Sequence, residues 1–495
     1  MRAAALLLLL AGPAGAGPLF EPVPLPVEHF YSGGWEHFVG GGLAVLDCDD
    51  DGLPELLAAG GAEPMTLLRN RGAMRFEPGA FPEVRGAAGA YALDIDGDGP
   101  LDLVVLRVGP NLALRGDGAC GFAAHDFGVP DHPLWSGDAW TTAFSATWEA
   151  GESRPTLAFG AYVDRSDPAG PFEACDDNLL LRSEGEGWEA ARLSPGFCAL
   201  SMLFSDEARD GVPDLRISND RHYYVRGGFE QMWDMAEGRW RGEADGWPRL
   251  SIWGMGIASR DVTGDGRPDL MLTSMGDQLL MLSAPEGHAP APFSAGTYAQ
   301  RPHAGDDGRP ATGWHAAWGD VDNDGLADLL IVKGNVDQMP TNAMADPNNL
   351  LMQRPDGTFR EASLEAGTAS PHRGRGGALA DLDGDGRLDM AVVNRRAPME
   401  VWRNAAPDAG NWLAVEPRMT GGNTRAVGAW VEVRTEAGTR AQEVTVGGGH
   451  AGGVAGPLHF GLSEAGAAQV RVIWPDGTAG AWERVEAGAT ARPER

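Results

Sequence analysis

Asp381-Leu382-Asp383-Gly384-Asp385-Gly386-Arg387-Leu388-Asp389 is followed directly by the apolar run Met390-Ala391-Val392-Val393. The same phrase, with acids at alternate positions, a glycine and a ninth-position acid before an apolar run, recurs along the chain. Its six copies begin at Asp47, Asp94, Asp206, Asp261, Asp320 and Asp381, and a degenerate copy at residues 152–157 lies in the longest interval. Seven units at spacings of 47 to 61 residues indicate a repeat architecture.

Acidic side chains at these positions suit Ca²⁺, which prefers hard oxygen ligands. The glycine at position six permits the sharp turn that such a loop needs. We therefore predict that the side chains at positions one, three, five and nine, with the backbone carbonyl at position seven, are calcium ligands. The predicted ligands are Asp47, Asp49, Asp51, Leu53 and Glu55; Asp94, Asp96, Asp98, Pro100 and Asp102; Asp206, Asp210, Val212 and Asp214; Asp261, Thr263, Asp265, Arg267 and Asp269; Asp320, Asp322, Asp324, Leu326 and Asp328; and Asp381, Asp383, Asp385, Arg387 and Asp389.

The six loops are unequal as metal sites. Every ligand position is filled in the loops that begin at Asp47, Asp94, Asp320 and Asp381. At the third position Thr263 still offers an oxygen, whereas Ala208 offers none, and the copy at residues 152–157 lacks most ligands. We expect about four to six Ca²⁺ ions, and none in the degenerate copy. An EF-hand is excluded because position twelve is apolar in all six copies, and a turn that binds no metal is the alternative.

The residues around each loop predict β-strands. Short branched runs such as Leu329-Leu330-Ile331-Val332 follow the loops and are typical of buried strands. Small residues stand seven positions before the loops, as at Gly40, Gly254 and Gly374, and indicate a crowded innermost strand. With a downstream hairpin, each unit supplies about four strands. We predict an all-β protein, with a seven-bladed β-propeller over residues 17–405 and a solenoid as the alternative.

Residues 406–495 follow a different pattern. Apolar and polar residues alternate, as in Trp430–Arg434 and Val470–Trp474, and predict a small β-sandwich or β-barrel domain. Within it, Gly447–Gly452 has the spacing of a dinucleotide-binding glycine motif. No helix pattern follows this segment, so we do not expect it to bind a dinucleotide.

Several features point to export. Residues 1–16 have the charged start, apolar core and small-residue cleavage site of a signal peptide, so we expect a secreted or periplasmic protein. Four cysteines then permit two disulfides. Cys175 with Cys198 is favoured because they flank one predicted hairpin, and Cys48 would then pair with Cys120. A formal net charge of −31 argues against nucleic acids as partners, and no later apolar run is long enough for membrane insertion.

The acidic repeats resemble FG-GAP or VCBS repeats, which form propellers in secreted proteins. The segment from about residue 410 resembles the ASPIC/UnbV domain at Gly410–Leu413, Ala426–Ala429, Leu458–Leu462 and Val472–Gly477. This order of domains is similar to that of the cartilage acidic protein family and covers roughly residues 30 to 490. The resemblance implies that the acids at positions one, three, five and nine of each loop bind calcium, and Ala208 departs from that pattern.

The sequence indicates a binding or adhesion scaffold whose ligand is an unknown glycan or protein. It contains no recognisable nucleophile, zinc or phosphate-binding motif, so calcium accounts better than acid–base catalysis for the paired carboxylates. The alternative is a polysaccharide lyase or hydrolase with its site at the mouth of the propeller channel, where His315 and Arg375 would meet. Packing of these two side chains along the axis is the simpler interpretation of their position.

Overall fold

The computed structural model describes residues 17–167, 174–185, 187–220, 228–284, 287–298 and 308–495. Strands dominate these ranges, and the helices are single turns at Pro133–Ser136 and Ser363–Ala366, with 3-10 turns at Trp35–His37, Glu243–Asp245 and Phe293–Ala295. The all-β class is therefore confirmed. The predicted signal peptide, residues 1–16, lies outside the described residues.

Seven sheets contain most of the strands in the described residues, and each is built on four antiparallel strands; the sheet that contains Leu43–Leu46 gains a fifth, parallel strand from the C-terminal region. In chain order the strands are β1 (Phe20–Pro22); β2 (Leu43–Leu46), β3 (Glu55–Ala58), β4 (Thr66–Asn70) and β5 (Phe76–Pro78); β6 (Ala87–Leu93), β7 (Asp102–Arg107), β8 (Leu112–Gly116) and β9 (Phe122–Ala124); β10 (Thr141–Thr147), β11 (Thr156–Ala161), β12 (Asn178–Glu184) and β13 (Gly187–Leu193); β14 (Ala199–Ser205), β15 (Asp214–Asn219), β16 (Gln231–Asp234) and β17 (Arg239–Trp240); β18 (Gly254–Arg260), β19 (Asp269–Ser274), β20 (Leu279–Ala284) and β21 (Gly287–Pro290); β22 (Gly313–Gly319), β23 (Asp328–Lys333), β24 (Asn349–Gln353) and β25 (Phe359–Glu361); and β26 (Arg373–Ala380), β27 (Asp389–Arg395) and β28 (Glu400–Asn404).

The seven sheets form a closed ring. The first strand of each sheet contacts the first strand of the next, and β26 of the last sheet contacts β2 of the first. The last sheet takes its outermost strand from the N-terminus, since β1 pairs with β28 in the register Phe20 to Asn404. The repeat pattern does not predict this closure, because β1 carries no copy of the acidic phrase. The arrangement is a β-propeller.

Apolar side chains fill the space between neighbouring sheets. Leu57 of β3 and Leu103 of β7 are fully buried in one cluster that joins the first and second sheets. Burial of a leucine contributes about 1.5–3 kcal/mol, so the runs after the loops supply much of the stability of the ring. All seven residues of β6 are buried, as expected for an innermost strand.

The C-terminal module is a β-sandwich. Its strands are β29 (Asn411–Val415), β30 (Trp430–Thr435), β31 (Gly438–Glu443), β32 (Val454–Ala455), β33 (Leu458–Ser463), β34 (Ala467–Ile473), β35 (Glu483–Glu486) and β36 (Ala489–Ala491). The sheet β33-β29-β36 packs against the sheet β31-β30-β34-β35. Leu413, Val431 and Phe460 lie in the shared core, so the alternating pattern of this region buries one face of each sheet.

A segment of this module occupies the central channel of the propeller. The plug, defined here as residues Gly447–Gly453, follows β31 and leads into β32, which pairs in parallel with β2 of the first sheet. The Gly448 and Gly449 amides donate to the carbonyls of Met202 and Ile257 at 2.6 and 2.7 Å. The channel is therefore filled by chain from the C-terminal module, which the sequence patterns do not predict.

Both predicted disulfides are present. Cys175 is bonded to Cys198 and Cys48 to Cys120, and neither pair leaves a free cysteine. Two disulfides are typical of an oxidising, extracytoplasmic compartment. Across the ranges that the structure describes, the longest helices are single turns and none has the length or apolarity to cross a bilayer.

Candidate metal centres and the plugged channel

Each acidic loop joins the first strand of a sheet to the second. In the last sheet, Asp381 at position one accepts the backbone N–H groups of Gly384, Asp385 and Gly386 at 2.8, 3.1 and 2.9 Å. Gly386, at position six, has a φ of 81°, which favours glycine because other residues are strained there. The first-position acid thus holds the turn closed. The Asp94 and Asp261 loops repeat all three bonds, the Asp47 and Asp206 loops make those to positions five and six, and among the described residues Asp320 accepts only the N–H of Gly325.

The ninth-position acid links three parts of its sheet. Asp389 begins β27, and its two carboxylate oxygens accept the N–H groups of Leu382 in the loop and Asn404 in the third strand, at 3.0 and 2.8 Å. Asp102 makes the equivalent bonds to Ile95 and Gly116 at 2.9 and 3.0 Å. These acids therefore have a structural role in addition to the predicted metal ligation.

The fifth and seventh positions are coupled through the backbone. The Asp324 carboxylate accepts the N–H of Leu326 at 2.7 Å, and Asp385 accepts that of Arg387 at 3.0 Å. Equivalent bonds join Asp51 to Leu53, Asp210 to Val212 and Asp265 to Arg267. Pro100 has no N–H group, so the Asp94 loop lacks this bond.

Four loops bring three carboxylates together closely enough to share one ion. In each group the ligand atoms lie within 4.8 Å of one another, and the groups are Asp47, Asp49 and Glu55; Asp94, Asp96 and Asp102; Asp320, Asp322 and Asp328; and Asp381, Asp383 and Asp385. These are the four loops in which the sequence fills every ligand position. Four predicted carboxylate ligands in these loops lie outside the groups: Asp51, Asp98, Asp324 and Asp389. The loops at Asp206 and Asp261 form no such group within the described ranges.

The Asp320 loop fits a bound cation best. Burial, followed by repulsion from Asp324 and Asp322, holds the pKa of Asp320 well above its ordinary value. The pKa of Asp322 is raised to about 6, again chiefly by burial and then by Asp324. The Oδ1 atom of Asp320 is buried without a hydrogen-bond partner. A buried oxygen with no donor and converging carboxylates is the arrangement that a divalent cation satisfies.

Arginines neutralise part of the charge in three of the other loops. Arg69 pairs with Asp49 at 2.5 Å, Arg115 pairs with Asp98, and Arg403 pairs with Asp383 at 2.7 Å. The Asp320 loop makes no ion pair of this kind among the residues that the structure describes. Among the four loops with clustered carboxylates it is therefore the one without a direct ion pair in the described ranges, and the longer-range attraction of Arg260 to Asp320 and of Arg440 to Asp324 offsets part of its charge.

The C-terminal module rests on the acidic loops. Thr424 Oγ1 donates to Asp94 Oδ2 at 2.5 Å, and Arg440 Nε donates to the Gly325 carbonyl at 3.1 Å. On another loop, Trp430 Nε1 donates to the Asp206 carbonyl at 3.0 Å. The loops therefore form the surface on which the module sits, and a change in their shape should be felt by the module.

His315 and Arg375 are packed in the interior, in agreement with the simpler interpretation of their position and not with the alternative of a site at the channel mouth. His315 is buried, and its Nδ1 accepts the backbone N–H of His450 in the plug at 2.9 Å. Arg375 is buried too, donates to the carbonyls of Phe38 and Asn335 at 3.1 and 3.2 Å, and lies over the Trp314 ring. Neither side chain is accessible to a polymer, because both are buried and their polar atoms are hydrogen-bonded to the backbone of the plug or of neighbouring segments.

The glycine motif in the C-terminal module is the plug itself. Gly447, Gly448 and Gly449 all have positive φ values, 137°, 66° and 56°, which a chain of ordinary residues adopts only with strain. A run of glycines between two alternating strands was the available signal for this segment. The glycines indicate a backbone with positive φ angles, but they do not indicate that this segment lies in the propeller channel.

Two family models match the chain. The ASPIC and UnbV model matches residues 419–492, within the C-terminal module. The FG-GAP-like repeat model matches residues 47–105, which include the first two acidic loops. These matches fall on the two kinds of sequence pattern that the structure separates into propeller and module.

Curated relatives match over a short stretch. Cartilage acidic protein 1 of Mus musculus is 37% identical over 109 residues, which are 21% of this chain and 17% of the relative. The protein of the same name from Homo sapiens is 37% identical over 109 residues, or 16% of its length. The chain thus matches less than a fifth of the length of these relatives.

Solved structures resemble the chain only distantly. The BP39L lectin from Burkholderia pseudomallei has a TM-score of 0.47 at 13% identity and covers 74% of this chain and 96% of its own. BBS1N, solved in complex with ARL6DN, has a TM-score of 0.46 at 8% identity and covers 77% and 96%. These likenesses are too distant to carry information about function. In its acidic repeats and its C-terminal segment, the chain resembles the cartilage acidic protein family.

Proposed function

We propose that the protein is an exported scaffold that binds a glycan or protein partner outside the cytoplasm, and that Ca²⁺ in its acidic loops stabilises the propeller. The FG-GAP-like repeat, the ASPIC/UnbV segment and the two disulfides support the extracellular scaffold. The observation that carries the calcium proposal is the Asp320 loop, where carboxylates converge around a buried oxygen that has no hydrogen-bond donor.

Calcium would act structurally in this proposal. The loops connect the two innermost strands of six of the seven sheets and lie beneath the C-terminal module, so an ion there fixes a turn rather than meeting a substrate. When bound, it supplies positive charge to carboxylates that burial makes costly to ionise. The chain's own backbone donors hold positions one, five and nine in place, so the loop is largely formed before an ion arrives.

We expect Asp320→Asn to remove one bound calcium ion and to have opposite effects on stability with and without calcium. In calcium the variant should lose about 2–3 kcal/mol, because one site no longer contributes binding free energy. In chelator it should match or exceed the parent protein, because a repelled, buried carboxylate has become neutral. Isothermal titration calorimetry gives the stoichiometry, and thermal unfolding in both buffers gives the stability.

Asp356→Asn is the matched control for this variant. Asp356 also caps a turn, accepting Thr358 N at 3.0 Å, but it lies on an exposed hairpin and is not one of the predicted calcium ligands. Its substitution should leave the calcium stoichiometry unchanged and shift stability equally in both buffers. An unchanged stoichiometry in Asp320→Asn would contradict the assignment of this loop as a calcium site.

The binding role is tested with the calcium-loaded protein on glycan and extracellular-protein arrays. We expect saturable retention on a restricted set of ligands, without release of a product. Uniform absence of retention would overturn the scaffold as a binding protein and leave a passive envelope or matrix component. The strongly negative net charge predicts that acidic polymers are not among the retained ligands.

A further inference from the structure

The tip of the plug is held by a pair of neutral histidines. The ring of His450 is buried in the channel, with Nδ1 at 3.1 Å from the Met255 carbonyl and Nε2 at 3.1 Å from the Gly40 amide. The carbonyl can only accept and the amide can only donate, so Nδ1 carries the proton and Nε2 carries none. His315 Nδ1 accepts the backbone N–H of His450, so it too must be unprotonated.

A proton added to either ring removes an acceptor that the plug uses. On His450 it would face the N–H of Gly40, and on His315 it would face the N–H of His450 itself. Each protonation therefore replaces a hydrogen bond with two opposed donors in a buried site. Such a site is costly because neither donor can reach water.

The surroundings offer no negative charge to compensate. Arg375 from the last sheet stacks on Trp314, whose ring also lies 5.0 Å from that of His450. The Tyr91 hydroxyl, in the second sheet, donates to the Gly448 carbonyl at 3.0 Å. The Tyr31 hydroxyl, in the segment before β2, donates to the Val39 carbonyl at 2.6 Å. Over the described ranges neither channel histidine has a carboxylate within ion-pair distance. A second cation beside Arg375 is therefore repelled.

We propose that acidification releases the plug from the propeller channel, because protonation of His315 and His450 breaks the hydrogen bonds that seat its tip. Release opens the channel and frees the C-terminal module to leave the acidic loops. Neither histidine lies in an acidic loop, so protonation of the pair does not act through a predicted calcium ligand. It makes the exposed surface of an exported protein depend on the pH of its surroundings.

The direction of the pH effect follows from burial. Burial lowers the pKa of His450 to about 3 and that of His315 to about 4, whereas in a released plug and open channel both would titrate near their ordinary value of 6.5. The released state therefore binds more protons at intermediate pH, so seating is fully stable above pH 6.5 and is lost as the pH falls. Between pH 7.5 and 5.5 the equilibrium constant for release should rise about tenfold per histidine and about 100-fold for both.

Hydrogen exchange of residues 447–453 in the full, calcium-saturated chain measures this release. After correction for the intrinsic pH dependence of exchange, we expect opening of the plug to increase about 100-fold from pH 7.5 to 5.5. His450→Gln should reduce the increase to about tenfold, and the double variant with His315→Gln should abolish it. His29→Gln is the control, because His29 is also buried and bonded to a carbonyl, that of Ala59 at 2.9 Å, but lies outside the channel.

Two results would overturn the proposal. One is plug protection that does not change with pH, and the other is equal loss of protection in the sheets, which would mean global unfolding instead of release. If the variants fail to fold, the imidazole resonances of the unaltered protein decide the matter. His315 and His450 should stay neutral at pH 6 while the plug is seated, and titration of either near pH 6.5 in that state contradicts the inference.

Discussion

Removal of calcium is expected to lower the unfolding temperature of the protein by more than about 10 °C. An ion that binds only the folded chain at a hundredfold excess over its dissociation constant contributes about 2.7 kcal/mol per site. With four to six sites the total exceeds about 10 kcal/mol, which is comparable to the whole stability of many domains. Differential scanning calorimetry of the mature chain in excess Ca²⁺ and in chelator measures this directly.

The expected loss is large because the calcium-free loops are electrostatically unfavourable. Burial and neighbouring acids raise the pKa of Asp389 to about 8 and that of Asp102 to about 7. A folded pKa above the unfolded one means that these groups destabilise the fold as the pH rises from about 4 towards 8. The calcium-free protein should therefore become more stable as the pH falls from about 8 to about 6.5, and below about 6.5 the buried histidines, whose pKa burial lowers, begin to oppose this gain.

Magnesium is the control for this experiment. It demands a smaller, near-octahedral arrangement and releases its water reluctantly, so it should restore little of the lost stability at equal concentration. If calcium and chelator give the same unfolding temperature, the acidic loops are held by their backbone hydrogen bonds and arginines alone. The clustering of carboxylates in these loops would then need an explanation other than calcium binding.

Local features of the sequence predicted the local features of the structure. The nine-residue phrase encodes a turn, its glycine and the start of a buried strand, and its recurrence at matched spacing allowed the loops and the all-β class to be recognised. The Cys175–Cys198 disulfide could be predicted for a similar reason, since both cysteines flank a single hairpin. Such features depend on neighbours that are close in the chain.

Contacts between distant segments could not be predicted in this way. The bond between Gly40 and His450 joins residues 410 positions apart, and β1 pairs with a strand at the other end of the propeller. No local pattern marks either partner. The small residues of the first strands did indicate close packing at the axis, but the segment that packs against them is the plug, which belongs to the C-terminal module. Similarly, the sequence placed His315 on the propeller axis but did not identify its partner, which is a backbone amide of the plug.

Gly89→Val is expected to expel the plug from the channel at neutral pH. A Cβ atom at residue 89 would lie 1.8 Å from the carbonyl oxygen of Ala451, and the neighbouring first strand presents Gly42 to the same oxygen at the same distance. This oxygen belongs to the backbone of a fully buried residue, so it cannot move aside as a flexible side chain would. Overpacking of a core costs about 1–3 kcal/mol or more, and here the cost falls entirely on the seated plug.

Hydrogen exchange and limited proteolysis of residues 447–453 measure the expulsion. Protection of the plug should fall by at least about 100-fold, a change of about 2.7 kcal/mol in seating free energy. Gly187→Val is the matched control, since Gly187 lies in an outer strand with no atom within 4 Å of an added Cβ. Its substitution should leave the plug protected.

The response of the propeller to Gly89→Val separates two roles for the plug. The first strands pair with their own sheets and contact each other around the ring, so the propeller has sources of stability that do not pass through the plug. If the sheets keep their protection while the plug loses it, the plug can leave the channel while the propeller stays folded, and acid release is physically possible. If sheets and plug lose protection together, the plug is part of the folding core. The innermost strands, with their small residues, would then need the plug packed between them for the propeller to be stable. Unchanged protection of the plug would mean that it does not occupy the channel in solution.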